Sequence, residues 1–290
     1  MYQRHFGFTV KPFAMTPDPA FLYASRRHAM ALTMLEYSLE SQAPFSVLTG
    51  VIGSGKTTLV RKLLQQLGDQ VKVGLVTHAH GRFQSIHGWV LSALGILPKD
   101  NSEVGLYEAL QHSLIQQYAR GGRTLLIIDE AQNLSIEILE ELRLLSNINS
   151  EKDLLLQILL VGQPELRLKL SRPELRQFAQ RVSVFFDLKR LEREETHEYV
   201  RHRLKVAGGN SSLFRPDAID LIYARTRGVP RLVNLMCDYA LVYGFADRRT
   251  EIDADLIAQV VQDCSNGIAL STSNTADADV PVGVTNSSAA

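Results

Sequence analysis

The sequence predicts an α/β protein, with a doubly wound parallel sheet of five strands followed by a small all-α domain. Three observations predict it. Five short apolar runs, "FSVLT" from Phe45, "VKVGLVT" from Val71, "TLLIID" from Thr124, "DLLLQILLVG" from Asp153 and "RVSVFFDL" from Arg181, are separated by stretches with helical spacing. Runs that are apolar throughout belong to strands covered on both faces, which is the parallel arrangement. After Leu191 the strand-like runs stop and four helical patterns follow.

Taken in order, residues 1–43 form a lead-in. "KPFAMTPDPAFLYAS" is rich in proline and aromatics and reads as irregular but packed, and "HAMALTMLEYSLE" places Met30, Met34, Leu35 and Leu39 at helical spacing. Residues 44–190 form the α/β core, whose helices are "TTLVRKLLQQLG", "FQSIHGWVLSALG", "VGLYEALQHSLIQQYA" and "SIEILEELRLLSNI". Residues 191–264 form the helical domain, from "REETHEYVRHRLKVAG", "PDAIDLIYARTRG", "PRLVNLMCDYALVYGFA" and "DADLIAQVVQDC". Pro216 and Pro230 sit near helix starts, and Gly208 and Gly228 near helix ends. Residues 265–290 are small and polar without periodicity and read as a disordered tail.

The bulk numbers narrow the function. Of the 290 residues, 45% are hydrophobic and 21% charged, an ordinary globular composition. Basic and acidic residues balance at 31 each, so bulk attraction to nucleic acid or anionic lipid is not expected. The two cysteines, Cys237 and Cys264, make no disulfide framework and are expected to be reduced thiols. No apolar run is long enough to span a bilayer, and "MYQRHFGFTV" lacks the core of a signal peptide, so a cytoplasmic location is expected.

The chemistry starts at "GVIGSGKTT", which follows the first strand. It fits G-x-x-x-x-G-K-[ST], with Gly50, Gly55, Lys56 and Thr57 at the defining positions and Val51, Ile52, Gly53, Ser54 and Thr58 completing the loop. Glycines let the backbone turn tightly and aim successive N–H groups at phosphate oxygens. The helix that follows adds the positive end of its dipole. Lys56 reaches the β- and γ-phosphates of a nucleotide, and the Thr57 hydroxyl ligates Mg²⁺. A second acidic element follows at the end of "TLLIIDEAQNL". Neighbouring strand residues point opposite ways, so Asp129 serves the Mg²⁺ shell while Glu130 faces the attacking water as general base.

With these residues in place the chain resembles the AAA+ ATPases, and among them the ExeA/GspA-like branch tied to bacterial secretion. The resemblance rests on blocks in matching order: "FGFTVKPFAMTPDPAFLYAS" with Pro12, Phe13, Pro17, Asp18 and Pro19, then "LTGVIGSGKTTL", "IDEAQNLSIEILEELRLLSN", "VGQPEL" and "GVPRLVNLMCDYAL". It implies ATP and Mg²⁺ as ligands and ATP hydrolysis as the activity. It implies Gln163 as sensor 1, orienting the water, and Arg231 as sensor 2, reporting the γ-phosphate to the helical domain. It implies an arginine acting on a neighbouring subunit's nucleotide, Arg181 first and Arg176 second, and hence ATP-dependent self-association. It also implies that the lead-in covers the adenine, with Phe13 and Tyr23 as stacking candidates. Longer members carry a transmembrane helix and a periplasmic peptidoglycan-binding region. Neither pattern occurs here, so membrane attachment is expected to run through an envelope partner protein.

Other readings are weaker. "DEAQ" resembles a helicase box, but no second RecA-like core follows. His78 and His80 in "THAH" read as a polar strand-end turn, since metal ligation needs more ligands. "RHRLK" within "LEREETHEYVRHRLK" reads as a solvated helix face. The alternative cellular role is a DNA-linked AAA+ regulator similar to transposon target-selection ATPases, which the neutral charge disfavours. A nucleotide-gated scaffold without turnover is disfavoured by the intact Asp129–Glu130 pair.

Overall fold

The computed structural model describes residues 1–77, 85–148 and 153–265. His78, His80 and the tail after Ser265 lie outside these residues. The core contains strands β1 (Phe45–Gly50), β2 (Val71–Val76), β3 (Arg123–Ile128), β4 (Leu156–Gly162) and β5 (Val182–Leu188). They form one sheet in the order β2-β3-β4-β1-β5, with every neighbouring pair parallel. The central strands β1 and β4 are buried along their whole length, while β5, at an edge, is half covered. This matches the mostly apolar "FSVLT" and "LQILLVG", whose Ser46, Thr49 and Gln157 are buried too, and the mixed "VSVFFDL".

The helices before and within the core are α1 (Tyr2–Phe6), α2 (Arg26–Glu40), α3 (Lys56–Gln66), α4 (Ile86–Ala93), α5 (Glu103–Ala119), α6 (Ile136–Leu145), α7 (Pro164–Leu170) and α8 (Arg176–Ala179). Serines cap four of them: Ser25, Ser85, Ser102 and Ser135 accept backbone N–H groups at the starts of α2, α4, α5 and α6. Alternate strand residues face two apolar layers. Val47, Leu126, Ile128, Ile158 and Leu160 pack with α4 to α8, and Leu48, Leu125, Ile127, Leu159 and Val161 pack with α2 and α3.

The helical domain holds α9 (Arg193–Val206), α10 (Pro216–Thr226), α11 (Pro230–Ala246) and α12 (Ala254–Ser265). Pro216 and Pro230 open α10 and α11, where the missing N–H costs nothing. The first residues of the chain join this domain's own core. Tyr2, Phe8, Phe13 and Phe21 pack with Val200, Leu204, Phe214 and Leu241, and the Tyr2 hydroxyl donates to the Asp238 carboxylate. The lead-in therefore splits: α2 covers the sheet, and the segment before it straps the helical domain.

Two readings from the sequence change. Phe13 is 1% exposed and meets the Phe214 ring edge-on at 5.9 Å, so it belongs to the helical domain's core and is no stacking platform. "RHRLK" is not a uniformly solvated face. Arg201 and Lys205 are exposed, but Arg203 is 7% exposed. Its Nε and Nη2 donate to the carbonyls of Pro12 at 2.6 Å and Ala14 at 3.2 Å, and its guanidinium lies over the Phe21 ring at 4.6 Å. A buried cation needs such partners, and the strap supplies them.

Candidate functional site

In an open parallel sheet, ligands bind beyond the carboxyl ends of the strands, where the chain reverses direction across the sheet. Here the chain leaves β1 for the far strand β2 and returns through β3 and β4 to lie beside β1 again. The loop Gly50–Gly55 sits at that point. Gly53 and Gly55 take φ of +78° and +101°, conformations that glycine adopts without steric cost. Gly50 is required for a second reason: a Cβ there would stand 2.8 Å from the Leu188 carbonyl oxygen.

The loop borders a cleft of about 350 Å³ between the core and the helical domain, within the size range of small-ligand sites. Its walls include Gly53 to Thr58 from the loop and α3, Glu130 and Gln163 from the strand ends, Pro17, Leu22 and Tyr23 from the lead-in, and Tyr199, Arg203, Arg231 and Asn234 from α9 and α11. Lys56 is 9% exposed. Its ammonium donates to the carbonyls of Gly50 at 2.7 Å and Val51 at 3.1 Å, and no carboxylate pairs with it among the described residues. Burial lowers its pKa, opposed by the fields of Glu130, Asp129, Asp187 and Glu165. A buried cation held only by carbonyls fits an incoming phosphate, which supplies the missing negative charge.

The opposite wall carries Glu130 and Gln163, while Asp129, one residue before Glu130, does not itself line the cleft. Asp129 follows β3, and its Oδ1 accepts the Glu130 N–H at 2.9 Å. Glu130 adopts φ of +53°, unusual for a residue with a side chain, and begins the 3-10 turn Ala131–Asn133. Its Oε2 accepts from Gln163 Nε2 at 3.3 Å and from Gln132 Nε2 at 2.5 Å. Thr57 and Asp129 offer hard oxygen ligands, the donor type Mg²⁺ takes alongside waters and substrate phosphates. This donor set fits the ion.

The helical domain reaches the loop directly. Arg231, at the start of α11, donates its backbone N–H to the Gly53 carbonyl at 3.2 Å. Its side chain is exposed on the cleft wall. Arg181 lies elsewhere. It precedes β5, whose first residue pairs with Phe45 at the start of β1, so it sits at the sheet end opposite the loop. Six strand residues separate the two ends, roughly 20 Å. Its Nη1 donates to Ser146 Oγ at 2.7 Å and to the Arg143 carbonyl at 3.4 Å. Arg176, at the start of α8, lies in the same region before β5.

Residues 39–170 match the family described as AAA domain. Over 247 residues, 85% of this chain, the sequence is 38% identical to General secretion pathway protein A of Aeromonas hydrophila. The chain is an ExeA/GspA-like AAA+ protein.

This AAA+ chain spans 45% of the Aeromonas relative's length. Its fold is similar to solved structures of low identity. The Aeropyrum pernix ORC2 protein matches with a TM-score of 0.66 at 19% identity, covering 88% of this chain and 72% of that one. Cdc6p from Pyrobaculum aerophilum matches with 0.63 at 19% identity, covering 86% and 71%. Among the described residues, no helix of the AAA+ chain is long and apolar enough to cross a membrane.

Three site residues had no reading in the sequence. Gln132 stands in the "DEAQ" block and bridges Glu130 to Gln163. Its Oε1 accepts the Gln163 N–H at 3.0 Å. His28, in α2, holds the loop Gly50–Gly55 from behind: its Nε2 bonds the Ser54 carbonyl at 3.1 Å and its Nδ1 bonds Ser25 Oγ at 2.8 Å. Burial lowers its pKa, opposed by the Ser54 bond and by Glu195. Asn234 takes the Tyr199 hydroxyl at 2.8 Å on the helical side of the cleft. The "DEAQ" quartet was a usable signal for Gln132. Nothing in the sequence joins residue 28 to residue 54.

Proposed function

We propose that this chain binds ATP with Mg²⁺ in the cleft, hydrolyses it to ADP and phosphate, and uses the change to drive assembly of a partner complex. One observation carries the reading: Lys56, Thr57, Glu130, Gln163 and Arg231 line a single cleft between the core and the helical domain.

In this reading the backbone N–H groups of Val51 to Gly55 and the start of α3 take the phosphates, with Lys56 on the β- and γ-phosphates. Thr57 and Asp129 would hold Mg²⁺, which would supply positive charge beside the phosphates. Glu130 accepts a proton from the attacking water as its oxygen bonds to the γ-phosphorus. The bond from that phosphorus to the bridging oxygen breaks, and ADP leaves with the electron pair. Gln163 orients the water. Arg231, whose backbone already bonds Gly53, ties the helical domain's position to the phosphate it faces. Arg181, remote from its own cleft, serves a neighbouring subunit's nucleotide, and the protein self-associates when ATP is bound. Tyr23 lies on the cleft wall, where its ring is available to the base.

The 38% identity to General secretion pathway protein A supports a secretion-linked role. In this reading the partner is a membrane or envelope protein and the chain works on the cytoplasmic side. Light scattering on the Glu130→Gln protein, with and without ATP and then with duplex DNA, tests this. ATP-dependent oligomers indifferent to DNA support it. Oligomers that form only on DNA favour the DNA-linked alternative, and a monomer throughout contradicts the assembly reading.

A further inference from the structure

We infer that Gln132 is a positioning residue for hydrolysis: its side-chain amide ties Glu130 to the backbone of Gln163 and so fixes the direction in which the Glu130 carboxylate faces the cleft. The inference rests on Glu130 being the general base.

The orientation of the amide is dictated by its partners. The Gln163 N–H can only donate, so it takes Gln132 Oε1, at 3.0 Å. The Glu130 carboxylate can only accept, so it takes Gln132 Nε2, at 2.5 Å. Gln163 Nε2 converges on the same carboxylate oxygen, Oε2, at 3.3 Å. Two amides on one oxygen leave Oε1 to take the water's proton. The arrangement also needs space. A Cβ on Gly162 would come 2.9 Å from Gln132 Oε1, so the glycine that ends β4 makes room for the bridge.

The backbone under Gln132 is clamped as well. Lys169, on α7, donates to the carbonyls of Gln132 at 2.5 Å and Leu134 at 2.6 Å. Gln163 is the residue that caps α7, so Gln132 is held to α7 at both of that helix's ends. Glu130 itself sits at positive φ, uncommon for a residue with a side chain. The bridge adds a hydrogen-bonded constraint on its carboxylate.

The test uses the full chain and three variants, Glu130→Gln, Gln132→Ala and Gln132→Glu. Phosphate release gives kcat and KM, and equilibrium binding of a fluorescent ATP analogue gives affinity. Gln132→Ala is expected to lower kcat about 10- to 100-fold, the scale of a small misplacement of a reacting group, with affinity within about threefold. Gln132→Glu keeps the acceptor for the Gln163 N–H but removes the donor to Glu130 and sets a second carboxylate against it. Its kcat is expected to fall at least as far as that of Gln132→Ala, again with affinity within about threefold. A residue that only shapes the turn tolerates this near-isosteric change.

Wild-type kcat in both Gln132 variants, a rise in kcat, or an equal loss of affinity and kcat overturns the inference. If Gln132→Ala fails to fold, the kcat and affinity of Gln132→Glu decide. Wild-type turnover in Glu130→Gln sinks the general-base reading itself. An inactive Glu130→Gln beside a fully active Gln132→Ala sinks only the role of Gln132.

Discussion

The backbone N–H of Arg231 donates to the carbonyl of Gly53 at 3.2 Å, joining the first turn of α11 to the middle of the loop Gly50–Gly55. The approach is close enough that Gly53 has no room for a side chain. A Cβ there would lie 2.5 Å from Arg231 Cβ, and φ is already +78°. The helical domain is thus registered on the loop by backbone contact, before any side chain meets a nucleotide.

Gly53→Ala is therefore expected to push α11 off the loop. The left-handed φ alone costs about 1–2 kcal/mol for a residue with a Cβ, and the clash adds to it. ATP affinity should fall at least about tenfold, while the melting temperature of the nucleotide-free protein drops by only a few degrees. Titration calorimetry and thermal unfolding measured together check this. Unchanged affinity would show that the contact is incidental to binding.

His28 makes a pH prediction. The neutral ring bonds Ser54 and Ser25 at once, and burial holds its pKa below the ordinary value of about 6.5. The unfolded chain binds the proton more readily than the folded one. Stability from the neutral ring is thus fully present above about pH 6.5 and is lost as pH falls from there towards the folded value. The melting temperature of wild type should fall more steeply over that window than that of His28→Gln. Parallel curves would refute the assignment.

Much of this was legible in the sequence, for identifiable reasons. Gly50, Gly55, Lys56 and Thr57 stand in the G-x-x-x-x-G-K-[ST] spacing, which the structure places at the end of β1, beside the cleft, and the order of the five apolar runs gives the sheet. What was not legible depends on partners remote in the chain. Arg203 sits in a charge-rich helix and reads as solvated, because the carbonyls that hold it come from Pro12 and Ala14. Phe13 sits among prolines near the site, and only the Phe214 contact shows that it turns into the helical domain. Helix α1 and the short α7 and α8 carry too few residues to show a period.

Arg181 is expected to act in trans. In its own subunit it binds Ser146 and Arg143, at the end of the sheet away from Lys56. Arg181→Ala should reduce ATP turnover by about 10³-fold, at the low end for such arginines. Mixing it with Glu130→Gln subunits should restore activity, because each supplies what the other lacks. Failure of the mixture to recover, in a sample shown to co-assemble, would place the trans arginine elsewhere, Arg176 first.

The central claim is that one cleft both binds ATP, through Lys56, and hydrolyses it, through Glu130. The most direct measurement is a single-turnover assay with bound ATP on wild type, Lys56→Ala and Glu130→Gln, following phosphate release and retained nucleotide together. Lys56→Ala should lose about ten- to a hundred-fold in affinity, the range for a charged hydrogen bond. Glu130→Gln should keep ATP at wild-type affinity and release phosphate about 10²–10⁴ times more slowly. Wild-type phosphate release from Glu130→Gln, or undiminished binding by Lys56→Ala, would contradict the account.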